Sequence, residues 1–171
     1  MKRILFSIVM IAFGFLANAQ GETTYGVIGG FNNLSAKVSA GGANTSFGDA
    51  GAFVGLFIDF KLSEKFRLQP EFQYVITFFE GDSGNSIALP VMAKYYVSNE
   101  FSVQAGPFLD LILDGTSLNE FGLGLAGGVG YDFTDDFFAT ARYSFGLTDR
   151  RDSDIVSTKF DFFQIGLGYR F

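Results

Sequence analysis

"FFQIGLGYRF", Phe162–Phe171, alternates large apolar side chains with small or polar ones. Phe163, Ile165, Leu167, Tyr169 and Phe171 fall on one side of an extended chain, and Phe162, Gln164, Gly166, Gly168 and Arg170 on the other. A period of two marks a strand whose two faces meet different surroundings. The final rung is aromatic, where soluble domains usually end in loose polar residues. The question is what environment lies on the bulky side.

The other end of the sequence narrows the answer. "MKRILFSIVMIAFGFLANAQ" carries Lys2 and Arg3, an apolar run from Ile4 to Leu16, and the small-residue step Ala17-Asn18-Ala19. This pattern predicts a secretory signal peptide over 1–19, cleaved after Ala19, with the mature domain covering 20–171. The apolar run is shorter than the roughly 17–25 residues of a membrane helix, and no later stretch is long and apolar enough for one. Removing Lys2 and Arg3 from the 12 basic residues leaves 10 against 18 acidic ones, a net charge of −8. Nucleic acid is excluded as a partner, since phosphate binding needs a basic footprint. With 0 cysteines there is no disulfide framework.

Alternation recurs along the whole mature chain. It predicts eight strands at about 23–34, 51–62, 66–79, 86–97, 101–112, 120–133, 137–148 and 159–171. Tight polar turns, "KLSEKF", "VSNEF" and "FTDDF", alternate with longer polar stretches, "SAKVSAGGANTSFGD", "EGDSGN", "DGTSLNE" and "DRRDSDIVST". Short turns on one side and longer loops on the other describe an antiparallel up-and-down barrel.

Volume decides which face points in. The bulky set includes Val54, Leu56, Ile58, Phe60, Phe72, Tyr74, Leu123, Leu125, Tyr131, Tyr143 and Phe145. An eight-stranded barrel is only just wide enough for side chains to fill it, so this set does not fit inside. The opposite set is small or polar: Gly122, Gly124, Gly128, Gly130, Ser102, Gln104, Thr140 and Ser144, with occasional large members Phe57, Phe108 and Phe162. The bulky face therefore meets lipid, and the fold is an all-β, eight-stranded transmembrane barrel. Phe60, Phe66, Tyr95, Phe101, Phe133, Phe137, Tyr169 and Phe171 form an interfacial girdle beside the short turns. Pro70, Pro90 and Pro107 fall inside strands, where each predicts a bulge or a break in the ladder.

The same alternation puts Asp59, Lys61, Arg67, Glu71, Lys94, Asp110, Asp132, Arg142 and Arg170 on the lumen face. Charges enclosed in so narrow a space must be paired, so a mutually neutralised plug is expected rather than a conducting constriction. "GLGLAGGVG" contains G-x-G-x-x-G at Gly122, Gly124 and Gly127, but alternation runs straight through it, so it lacks the helix start that holds a pyrophosphate. There is no histidine, which removes Ser-His and Cys-His catalysis and most transition-metal sites. Glu80, Asp82, Asp149, Asp152 and Asp154 do not follow the EF-hand spacing and read as solvated loop. No enzyme activity, cofactor or metal is expected.

Several segments resemble the small outer-membrane barrels of Bacteroidota described as the PorT-like or outer membrane protein beta-barrel domain family. "SIALPVMAKYYVSNEFSVQAGPFLDLIL" is similar to that family's middle segment, "ARYSFGLTD" to its penultimate strand and "FFQIGLGYRF" to its closing one. The resemblance implies an outer-membrane location and a terminal aromatic, Phe171, read by the barrel assembly machinery. The reading is a monomeric barrel with a structural or accessory role in the Gram-negative envelope. Its partners are outer-membrane lipids, the assembly machinery and periplasmic chaperones. A small porin-like channel and a loop-mediated binding or adhesion protein are the alternatives.

Overall fold

The computed structural model describes residues 22–40, 43–114, 119–150 and 156–171. The expected signal peptide, with Ala19, lies outside them. Eight strands follow one another: β1 (Thr23–Ala40), β2 (Ala43–Lys61), β3 (Phe66–Phe79), β4 (Asp82–Tyr96), β5 (Phe101–Ile112), β6 (Phe121–Asp132), β7 (Phe137–Gly146) and β8 (Val156–Arg170). Each pairs antiparallel with the next, and β8 returns to β1 to close the barrel.

The register fixes the barrel's dimensions. From Asn33 the direct partners run through Phe163, Tyr143, Gly127, Ala105, Ala93, Leu68 and Phe60 back to Thr23, ten residues lower on β1. A shear of ten over eight strands tilts them by roughly 40° and gives a backbone cylinder of about 8 Å radius. Side chains from opposite walls then meet at the axis.

Facing follows the volume argument. Phe53, Phe57, Asp59, Gln69, Glu71, Lys94, Gln104, Phe108, Phe138, Arg142, Phe162 and Gln164 are buried, while Val54, Leu56, Phe72, Leu125, Phe145 and Ile165 are exposed. The girdle at the short turns is present, with Phe137 and Tyr169 rings 4.7 Å apart. Phe171 stands 70% exposed beside it, its backbone N–H donating to Tyr25 O at 2.9 Å. Sequence reading missed a second ring near the loops, formed by Phe78, Phe121, Phe145 and Phe163.

The prolines break hydrogen bonds without shifting register. Pairing of β2 with β3 lapses between Phe57↔Glu71 and Phe60↔Leu68, opposite Pro70. The β3–β4 ladder lapses beside Pro90 and the β4–β5 ladder beside Pro107, and each resumes in the same register. No extra residue enters, so the expected alternative of a bulge is set aside. Each proline turns its missing donor toward the preceding strand and keeps its pairing with the following one.

The loop side departs most from expectation. "SAKVSAGGANTSFGD" is mostly strand, with β1 and β2 paired up to Ala40↔Ala43. "EGDSGN" contains a tight turn at Glu80-Gly81, where Gly81 has φ +83°, and β4 already begins at Asp82. The polarity of these segments reflects a water-exposed sheet beyond the lipid band. There β1 lies between β2 and β8, while β2 pairs with β3 only from Gly51 downward. The rising half of β2 therefore has a pairing partner on one side only among the described residues.

Facing yields a direct test. Ile165 is 49% exposed near the middle of β8, whereas its neighbour Gln164 is 3% exposed and donates to Gln73 inside. Arginine at Ile165 should cost about 2–4 kcal/mol of folding free energy in bilayers. Gln164→Arg should cost less, since Glu71 lies close by through Gln73. Urea titrations in vesicles compare the two; a larger loss for Gln164→Arg would reverse the assigned faces.

Candidate functional site: the charged lumen

Alternate residues of six strands project into the lumen and meet as one hydrogen-bonded chain. Lys94 Nζ on β4 donates to Asp59 Oδ2 on β2 at 3.2 Å and to Gln69 Oε1 on β3 at 2.9 Å. Gln69 and Gln73 both donate to Glu71, each at 2.6 Å. Arg142 on β7 meets the same carboxylate at 2.7 Å and donates through Nε to Gln104 on β5 at 3.0 Å. Gln164 on β8 donates to Gln73 at 3.0 Å. Glu71 is the hub, with one oxygen shared by Gln69 and Arg142 and the other held by Gln73.

Below this chain, toward the short turns, Arg170 pairs with Asp132 at 2.9 Å, and Tyr96 donates to the same carboxylate at 2.8 Å. Arg67 lies 3.6 Å from Asp59. The Phe138 ring takes two cations, with Arg170 at 4.5 Å and Lys94 at 5.1 Å from its centroid, and packs edge-on against Phe57. Higher up, Phe108 and Phe162 pack at 5.1 Å, with Phe53 and Val75 in the same buried cluster. Aromatic and polar side chains thus share the inner face.

Of the nine residues expected in the lumen, Asp59, Glu71, Lys94 and Arg142 join through this chain, Arg67 lies beside Asp59, Arg170 pairs with Asp132, Asp110 stands apart at the loop end, and Lys61 lies at the opposite rim. It sits at the short-turn mouth and pairs at 3.4 Å with exposed Glu64. This mouth is an open cavity of about 1020 Å³, with Arg67, Tyr96, Asp132 and Arg170 among its lining residues. At the loop end the sequence reading missed Arg150, which sat in the stretch read as solvated loop. It is buried, pairs with Asp110 and lies over the Phe160 ring at 5.1 Å. It also donates to the carbonyls of Asn119 and Glu120, at 3.2 and 3.1 Å, so one side chain ties two loops to the wall. A hint was present: Asp110 had no lumen cation close to it in the strand pattern.

The β6 glycines make room for these contacts. A Cβ at Gly122 would overlap the Arg150 guanidinium and Asp110, and one at Gly130 would strike Gln104 and lie 2.8 Å from Ser102 Oγ. The G-x-G-x-x-G pattern is therefore a wall under large neighbours. Asp149 accepts from the Thr158 N–H at 2.8 Å, while Asp152 and Asp154 lie outside the described residues. Among the described residues no acidic cluster has the grouping of a metal site.

The model of the outer membrane protein beta-barrel domain matches residues 18–152. The chain belongs to that family. The protein is accordingly an outer-membrane protein, and β8, past the matched segment, completes the family's barrel here. Among solved structures, the attachment invasion locus protein Ail of Yersinia pestis, in complex with a heparin analogue, is similar at 17% identity and TM-score 0.50, covering 86% of this chain and 99% of that one. Neisserial surface protein A is similar at 13% identity and TM-score 0.50, covering 88% and 100%. Both likenesses concern the fold. No match was found among curated proteins.

Glu71 supplies the site's test. Glu71→Gln keeps the volume but leaves the buried Arg142 without its carboxylate, a loss of about 3–5 kcal/mol. The double change Glu71→Leu with Arg142→Met should recover only part of it: the unpaired charge is gone, but buried Gln69, Gln73 and Gln104 each lose a hydrogen-bond partner. Equilibrium unfolding of refolded barrel in vesicles measures both; a neutral Glu71→Gln would show that the pair contributes nothing.

Proposed function

We propose that this outer-membrane barrel is a non-conducting, non-catalytic protein with a structural or accessory role in the Gram-negative envelope. The observation that carries the reading is the set of inward side chains that meet across the barrel: the chain centred on Glu71, the two aromatic pairs, and Arg150 across the loop end. The Ala-Leu-Pro and Ala-Gly-Pro steps, at Ala88–Pro90 and Ala105–Pro107, support the finer PorT-like affiliation by resemblance. Working partners are outer-membrane lipids, periplasmic chaperones and the barrel assembly machinery, and the working state is a monomer.

A binding role is the second reading, and the sheet above the lipid band favours it. Among the described residues, Ala43–Ala50 of β2 has a pairing partner on the β1 side only, and Phe47 on it is 61% exposed. An edge of this kind can take up an extended peptide as an added strand. Deleting 36–47 would remove the projecting sheet and leave the lipid-spanning part. Loss of surface binding with retained envelope integrity would favour this second role.

Two measurements test the main reading. Reconstituted into planar bilayers, the protein should give no discrete conductance steps, and paired Phe108→Ala and Phe162→Ala with Arg150→Ala should introduce them. Steady unitary conductance from the unmodified barrel would make it a channel. Deleting Phe171 should lower folded barrel in cells several-fold, while refolding in detergent changes little, since most of that side chain packs against nothing in the protein. Equal loss in both would assign Phe171 to packing alone.

A further inference from the structure

The seam where β1 meets β8 carries a feature that the lumen does not use. Going up its outward face, directly opposed partners are Asn33 and Phe163, then Ser35 and Asp161, then Lys37 and Lys159, then Ser39 and Ser157. Apolar residues end at Phe31 and Phe163, so the lysine rung stands immediately above the lipid band on the loop side. Like charges directly opposite each other across a strand pair destabilise it. Among the described residues, Lys37 and Lys159 are also the exposed cations of the loop half, in a chain of net charge −6.

The rung beneath holds one of them in place. Lys37 pairs with Asp161, which is buried and also accepts from Tyr143 Oη at 2.7 Å and from Gly146 N–H at 3.0 Å. That hydrogen bond raises the Lys37 pKa above its ordinary value, so the ammonium stays charged. Asp161 cancels one of the two charges from below, leaving one net positive charge facing outward. Tyr143 and Phe163, directly paired, lie around its base.

We propose that Lys37 and Lys159 clamp a phosphate of an anionic glycolipid in the outer leaflet. A tetrahedral phosphate can accept from both ammonium groups at once and answers the one net positive charge left at the rung. Headgroup-bound acyl chains would then descend over Phe163 and Phe31, which continue the same outward face. The acidic loops elsewhere leave this seam as the favourable place for such a headgroup among the described residues. The clamp fixes the barrel's depth and rotation relative to its lipid.

Native mass spectrometry of the full-length barrel, released from nanodiscs containing phosphatidylcholine and diphosphoryl lipid A, tests the clamp. The unmodified protein should retain lipid A adducts over the neutral lipid. Lys159→Gln should lower that retention about fivefold, the contribution of one lysine near a charged membrane surface. Lys65→Gln, at the short-turn end, should leave it unchanged. In neutral nanodiscs Lys159→Gln should unfold no more readily than the parent, which separates the effect from misfolding. Unchanged retention in Lys159→Gln would overturn the proposal. So would equal retention of a dephosphorylated lipid A, or displacement of the adduct by millimolar inorganic phosphate, which would make the site one for free phosphate.

Discussion

Hydrocarbon offers a strand nothing to hydrogen-bond with except another strand, and a sheet that must leave no edge in lipid has to close on itself. Closure with eight strands and a shear of ten leaves a cylinder so narrow that opposite walls are within side-chain reach. The remaining features of the molecule follow from that. Bulky residues must face outward because there is no space for them within, and the inner face must be built from glycines, short polar groups and a few large residues taking turns across the axis. The buried charges inside, Asp59, Glu71, Lys94 and Arg142, are each led to a counter-charge or an amide.

The lumen shows how strictly this constraint operates. Glu71 gathers two glutamines and an arginine, while Lys94 bridges Asp59 and Gln69. A buried ion pair of this sort contributes little net stability, because desolvation offsets most of the attraction. A slip of one residue on β2 or β3 would turn Asp59 or Glu71 toward lipid and bring leucines into the lumen. The glycine-rich β6 serves the same end from the other direction, since its missing side chains are the space that Gln104 and Arg150 occupy.

Where lipid ends the rules relax. Above Phe31 and Phe163 the strands β8, β1 and β2 continue as an ordinary twisted sheet in water, where polar outward residues and an unpaired edge are permitted. The proposed contacts with a peptide strand or a headgroup phosphate both fall on this part of the protein. The envelope-structural and binding readings therefore assign work to different parts, the barrel and the projecting sheet.

Period-two alternation by itself determined the strand count, the short turns, the inward and outward sets and most of the lumen charges, because facing depends only on a residue's parity along its own strand. Asp59, Glu71, Lys94 and Arg142 could be placed inside without any knowledge of their partners. Which of them meet depended on register, and register is set by pairing between strands distant in sequence. Asp110 finds Arg150 forty residues on, and Lys37 comes to face Lys159 across the closing seam, only once the sheet has closed. The same holds for Ser35–Ala40 and Ala43–Ala50: their small polar residues read locally as loop, and pairing of β1 with β2 and β8 makes them sheet. Proline positions could be read from the sequence, but that each breaks a ladder without shifting it follows from pairs held on both sides of the gap, a constraint that exists only in the closed barrel.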